Sequence, residues 1–203
     1  MITPLFVSTK KRKVAVLTPR ECLMIRSKLN RDYQELWDFL LYTRTRIAEA
    51  EYIADHPETF REENRAIFLP NVEGLGKDRC TIKNRAITLC DKGVIAVKQF
   101  LENKGKIPTY ADKFGKKHIA YQNIEEVIQR AARDADFNLE SICTKMLRKT
   151  AISWYFACFP EQETMILMTA GHTATVARGH YITHGFRRED IKDMREELAG
   201  VEL

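Results

Sequence analysis

The sequence predicts a mainly α-helical domain with a small three-stranded antiparallel β-sheet set into it. Three observations carry that reading. Apolar residues recur at helical spacing along most of the 203-residue chain. Only residues 65–90 switch to the short β-branched and alternating runs of strands. No linker rich in Pro, Gly or Ser divides the chain into large blocks, which fits one core for a chain of this length.

The elements follow in order. Residues 1–13 end in Lys10-Lys11-Arg12-Lys13 and read as a basic N-terminal tail, either solvated or laid along nucleic-acid phosphates. Residues 14–203 read as the folded domain. Thr18-Pro19-Arg20-Glu21 has the form of a helix start: a Thr cap, Pro at the first position and Glu where a capping box needs it. A second helix covers about 32–42, with Leu36, Trp37, Leu40 and Leu41 on one stripe. A third covers 45–54 and stops before His56-Pro57, because the residue before a proline resists the helical region.

Ala66-Ile67-Phe68-Leu69 reads as a strand closed by Pro70-Asn71, with 75–83 and 85–90 as two more in a meander. Asp91 reads as the cap of a helix carrying Val94, Val97, Phe100 and Leu101. Residues 103–118 are rich in Lys and Gly and read as a loop. Helices at 121–135, 144–158, 161–169 and 173–183, then a charged amphipathic helix at 187–199, complete the chain.

Composition bounds the function classes. A content of 44% hydrophobic and 30% charged residues is that of a globular protein. The longest apolar run, 151–159, is too short for a membrane span, and no secretory signal pattern opens the chain, so no membrane partner is expected. Five scattered cysteines without a C-x-x-C pair argue for reduced thiols, a cytoplasmic setting and no zinc site. The net charge of +5 permits a polyanionic partner without requiring one.

Three segments carry candidate chemistry. In Thr43-Arg44-Thr45-Arg46-Ile47-Ala48-Glu49-Ala50, Arg46 and Glu49 share a helix face, which alone is compatible with a structural ion pair. In Thr144-Lys145-Met146-Leu147-Arg148-Lys149-Thr150, Lys145 and Arg148 share a face, as in any basic amphipathic helix. In the third, Gly171-His172-Thr173-Ala174 precedes Tyr181, with His172 nine residues ahead of the tyrosine. No H-E-x-x-H motif or clustered carboxylate set suggests a metal-dependent nuclease, and no cofactor or metal is expected.

Taken together and in order, these segments resemble the tyrosine recombinase (phage integrase) family. Its pattern is an Arg in a T-G-L-R-I-x-E-like helix, a Lys in a β-hairpin, an H-x-x-R box, a G-H box and a Tyr nine residues after that His. The resemblance runs from Leu17 to about His184 and implies the catalytic-domain fold of DNA breaking-rejoining enzymes. It implies catalytic roles for Arg46, Arg148, His172 and Tyr181, with Glu49 in support. The H-x-x-R box reads Lys145-Met146-Leu147-Arg148, a departure shared with some archaeal integrases. Lys145 in that place suits a phosphate ligand better than a general base, because a lysine must first lose a proton. The hairpin lysine falls on Lys83, at the turn with Asn84; Lys77 is the alternative.

The resemblance implies a metal-independent site-specific recombinase of a mobile element. Tyr181 would attack a scissile phosphate of double-stranded DNA and form a 3′-phosphotyrosyl link. Arg46 and Arg148 would clamp the non-bridging oxygens and Lys83 would protonate the leaving 5′-oxygen. The alternatives are a catalytically silent DNA-binding relative that regulates a full-length recombinase, and a solitary nicking-resealing enzyme of type IB topoisomerase kind. Family members usually carry an N-terminal DNA-gripping domain, which this sequence is expected to lack. The last helix either packs on its own domain or carries self-association on DNA.

Overall fold

The computed structural model describes residues 1–8, 13–71, 84–103, 108–111, 113, 115, 117–171 and 185–201. Strands β1 (Leu5–Ser8) and β2 (Lys13–Val16) open the chain as an antiparallel pair. Helices α1 (Pro19–Arg26), α2 (Arg31–Thr43) and α3 (Ile47–Asp55) follow. Next come β3 (Phe60–Arg61), β4 (Ala66–Leu69), β5 (Arg85–Thr88) and α4 (Asp91–Glu102). A second hairpin, β6 (Thr109–Ala111) with β7 (Lys117–Ile119), leads to α5 (Tyr121–Asp134). Then α6 (Met146–Cys158), α7 (Glu163–Ala170) and α8 (Arg188–Glu197) close the described part. No helix among the described residues is long and apolar enough to cross a membrane.

The helix starts obey local chemistry. Thr18 caps α1: its hydroxyl accepts from the Glu21 N–H at 3.3 Å, while the Glu21 carboxylate accepts from the Thr18 N–H at 2.7 Å. Asn30 caps α2 by accepting from Tyr33 N–H at 3.1 Å. At α4 the cap is Cys90, whose thiol accepts from Gly93 N–H at 3.3 Å, and Asp91 is the first helical residue. The expected cap is thus displaced by one position: Asp91 is instead bonded to Arg65, leaving the less polar sulfur to meet the orphan donor.

The core centres on α6, in which Met146, Leu147, Ala151, Ile152, Trp154 and Tyr155 are all buried. Beside it, α2 and α4 pack with Phe39 stacked on Phe100, ring centroids 4.1 Å apart. Leu17, leaving β2 for α1, has no ladder partner, and α6 satisfies both of its backbone groups. Its N–H donates to Thr150 Oγ1 at 3.0 Å, and its carbonyl accepts from Trp154 Nε1 at 2.7 Å.

Three expectations are corrected. The N-terminal segment is not a tail: Leu5 to Ser8 pair with Val16 to Lys13, and Val7, Val14, Ala15 and Val16 are buried. Their apolar surface, removed from water, outweighs the pull of the basic cluster between them; residues 9–12 lie outside the described residues. In the three-stranded sheet β4 is central and pairs directly with both β3 and β5, so the third strand is Phe60–Arg61. The strand expected at 75–83 lies outside the described residues. Residues 103–118 are not all loop, since β6 pairs with β7 there.

The last helix was open to two readings. Here α8 packs on its own chain, burying Met194 and Leu198, with Tyr42 Oη donating to Glu197 at 2.5 Å and Lys92 2.7 Å from the same carboxylate.

Candidate active site

The site is built around a helix junction. α2 ends at Arg44, which takes the left-handed conformation (φ 58°). Glycine is the usual residue for such a turn, and Arg44 stands where the resembled T-G-L-R motif has its glycine. Its side chain offers a compensation: the guanidinium is buried, donates to the Thr88 carbonyl at 2.7 Å and lies 4.0 Å from the centre of the Tyr155 ring. Thr43 and Thr45 share a 2.7 Å hydroxyl–hydroxyl bond across the turn. The chain then enters α3 with Arg46 at the cap position.

Glu49, one turn into α3, gathers the surrounding cations. One carboxylate oxygen accepts from Arg46 N–H at 2.8 Å; the other lies 2.7 Å from Arg46 Nη1 and 2.8 Å from Arg85 Nη2. Arg148 Nη1 approaches to 3.8 Å. Burial pushes the Glu49 carboxyl up, but Arg85, Arg148 and Arg46 together outweigh it and hold the group below the ordinary carboxylate range. Three guanidiniums around one carboxylate leave a surplus of two positive charges. A buried surplus of that kind attracts an anion.

Arg148 comes from α6 and spans to two other elements. Its Nη1 donates to the carbonyl of Arg44 and its Nη2 to the carbonyl of Ala170. The second acceptor ends α7, where the helix dipole favours a cation. Gly171 follows in the left-handed region at φ 64°. Arg85 fills the space beside it: a Cβ added at Gly171 would lie 2.9 Å from Arg85 Nη1.

The exposure of these groups is graded. Glu49 is 2% exposed, Arg85 10% and Arg148 12%, whereas Arg46 is 33% exposed. Arg46 is therefore the guanidinium most open to an incoming anion, and the others stand behind it. Lys145 is exposed at the start of α6. One turn further on, Lys149 is pushed down to about 8 by burial, then by Arg148 and Lys145.

Of the expected site residues, Arg46, Glu49 and Arg148 converge, and Lys145 lies one turn before Arg148. Lys77, Lys83, His172 and Tyr181 lie outside the described residues. Two residues were not singled out by the sequence. Arg85 gave a signal, since it shares the alternation of the buried Ile87 and Leu89 and so places a charge on the core face of a strand. Lys149 gave none beyond adjacency to Arg148. Among the described residues, no group of three or more His, Cys, Asp or Glu side chains could hold a metal ion.

A mainly helical domain with small antiparallel sheets, carrying a cluster of arginines braced by a buried glutamate, has the fold of the tyrosine recombinase catalytic domain. Among solved structures the chain is similar to XerA recombinase, with a TM-score of 0.59 at 14% identity over 92% of this chain and 65% of that one. It is similar to the Tn1549 transposon integrase in complex with circular intermediate DNA, at TM-score 0.61 and 16% identity over 91% of this chain and 67% of that one. XerH site-specific recombinase bound to its difH substrate matches at TM-score 0.55 and 16% identity, over 92% of this chain and 55% of that one. The chain thus spans about two thirds or less of the length of these matched chains. By sequence, no family model and no curated protein matches it.

Proposed function

We propose that this domain cuts and rejoins double-stranded DNA without a metal, as a site-specific recombinase or integrase of a mobile element. The observation that carries the reading is the convergence of Arg46 and Arg148 on Glu49. Arginines suit a phosphodiester in transfer because each donates paired hydrogen bonds and stays charged at every working pH. A buried carboxylate that fixes them in advance avoids reorganisation during the reaction. The recombinase fold, and the DNA named with the Tn1549 integrase and XerH structures, support the same substrate class.

In this reading Tyr181 gives its phenolic proton to solvent as its oxygen bonds to the scissile phosphorus, and the bond from phosphorus to the 5′-oxygen breaks. The 5′-oxygen takes a proton from Lys83, or from Lys77 if that is the hairpin lysine. Arg46 and Arg148, with His172 and Lys145, balance the charge that builds on the non-bridging oxygens. The 3′-phosphotyrosyl link keeps the energy of the original bond, so the reverse step reseals DNA without a nucleotide cofactor. The exposure of Lys145 fits a phosphate ligand, and the lysine in that place, as in some archaeal integrases, is what supports reading the H-x-x-R box as archaeal-type. Self-association on DNA belongs to the proposal but would not use the apolar face of α8, which is occupied within the chain.

The lysine in place of histidine favours the silent DNA-binding alternative, and one experiment separates the readings. Supercoiled plasmid is incubated with the protein in EDTA. Relaxation that is lost in Tyr181→Phe supports strand transfer, while shifted but still supercoiled plasmid supports the silent binder. Exchange between paired sites, absent from a simple nicking-resealing enzyme, identifies the recombinase.

A further inference from the structure

Arg85 is the unassigned member of the cluster, and we propose that it is a positioning residue for the strand-transfer reaction, locking Arg46 to the turn at Gly171 through Glu49. The inference rests on the function proposed above. Arg85 belongs to β5, which pairs with the central strand β4, while Glu49 belongs to α3 and Gly171 follows α7. One guanidinium therefore meets two elements distant from its own. Its Nη2 lies 2.8 Å from the Glu49 oxygen that Arg46 also engages, and its Nη1 occupies the space a side chain at Gly171 would need.

The arrangement makes Arg85 unsuited to the substrate and suited to alignment. It is 10% exposed, against 33% for Arg46, so it lies behind the guanidinium that faces solvent. Glu49 paired with Arg46 alone would cancel the charge a phosphate must meet. A second cation beside the same oxygen restores it; Arg85 does so by charge proximity, since its Nη2 lies 2.8 Å from that oxygen without hydrogen-bond geometry. The planar fork of arginine can place one nitrogen beside Glu49 and the other in the space left by the missing side chain of Gly171, which a lysine ammonium cannot do.

The test measures the rate of covalent adduct formation on nicked duplex DNA, together with DNA affinity and thermal stability, for wild type, Arg85→Gln and Arg85→Lys. Partners that orient a reacting group typically contribute about 10- to 100-fold. Arg85→Gln is expected to slow the adduct by about that factor with affinity little changed, and Arg85→Lys to recover part of it. Replacing the scissile phosphate by a neutral methylphosphonate removes the charge that Arg46 must meet, so the Arg85→Gln defect should shrink on that DNA; a merely structural defect would not. If Arg85→Gln does not fold, the Arg85→Lys pair of rates is read instead. Equal rates for a folded variant and wild type, or a defect identical on both DNAs, overturn the inference while leaving strand transfer intact. No adduct with wild type overturns the strand-transfer reading, and the role of Arg85 falls with it.

Discussion

Arg46 Nη1 lies 2.7 Å from the Glu49 carboxylate, yet the two side chains face different surroundings, 33% exposed for the arginine and 2% for the glutamate. The buried member holds the open one from behind. The carboxylate inside thus fixes a guanidinium that reaches the surface.

Glu49→Gln removes a negative charge that Arg46, Arg85 and Arg148 share. Breaking a buried pair by deleting one partner costs about 3–5 kcal/mol, and a domain of this size loses about 2–4 °C of Tm per kcal/mol. Thermal unfolding should therefore show a clear fall in Tm, with adduct formation falling as well. An unchanged Tm would mean that the cluster does not brace the fold.

The same group sets an acid dependence. The folded pKa of Glu49 lies below its unfolded value, so its stabilisation is fully present above the ordinary carboxylate range and is lost as pH falls through the folded value. Urea unfolding between pH 6 and pH 3 should show a steeper loss for wild type than for Glu49→Gln. Parallel curves would remove Glu49 from the acid transition.

Lys149 acts on the alkaline side with the opposite sign. Its folded pKa of about 8 lies below the ordinary 10.5 of lysine. Below the folded value the lysine is charged in both states, and the cost of burying that charge is fully present. As pH rises through that window the folded state loses its proton first, so stability increases. Urea unfolding from pH 7.5 to 10 should show this gain in wild type and its absence in Lys149→Met.

Gly171→Ala meets two obstacles at once: a left-handed φ of 64° and an added Cβ 2.9 Å from Arg85 Nη1. The backbone conformation alone costs an alanine about 1–2 kcal/mol. Calorimetry should show at least that loss. Adduct formation should fall further than stability explains, because Arg85 must leave its place between Gly171 and Glu49.

Thr150→Val tests how the first hairpin is held. The substitution leaves Leu17 N–H buried without its 3.0 Å acceptor, a loss of about 1–3 kcal/mol. Chemical denaturation checks it, and Trp154→Phe, which removes the donor to the Leu17 carbonyl, should act in the same direction.

What the sequence revealed follows from how local each signal is. The start of α1 was readable because Thr18 and Glu21 satisfy each other within four residues. The proline at position 57 likewise marked the end of α3. The β1–β2 hairpin was not, because its apolar runs flank a basic cluster and its stability comes from α6, which supplies both partners of Leu17. The Cys90 cap ran against the preference for oxygen side chains at that position. At the site, motifs and order singled out Arg46 and Arg148, which the fold brings to Glu49, and their catalytic roles belong to the proposal. For Arg85 the strand alternation showed a charge on the core face but not its partners, because these depend on α3 and α7 meeting β5, a long-range contact that no spacing within a strand encodes.

The central claim is tested most directly by covalent trapping. Nicked duplexes with randomised sequence around the nick are incubated with wild type and Tyr181→Phe, then resolved on a denaturing gel. The account predicts a retarded protein–DNA band with wild type alone, and a digest of that band in which the DNA-bearing peptide contains Tyr181. DNA that binds without any such band, or a band that persists in Tyr181→Phe, would contradict it.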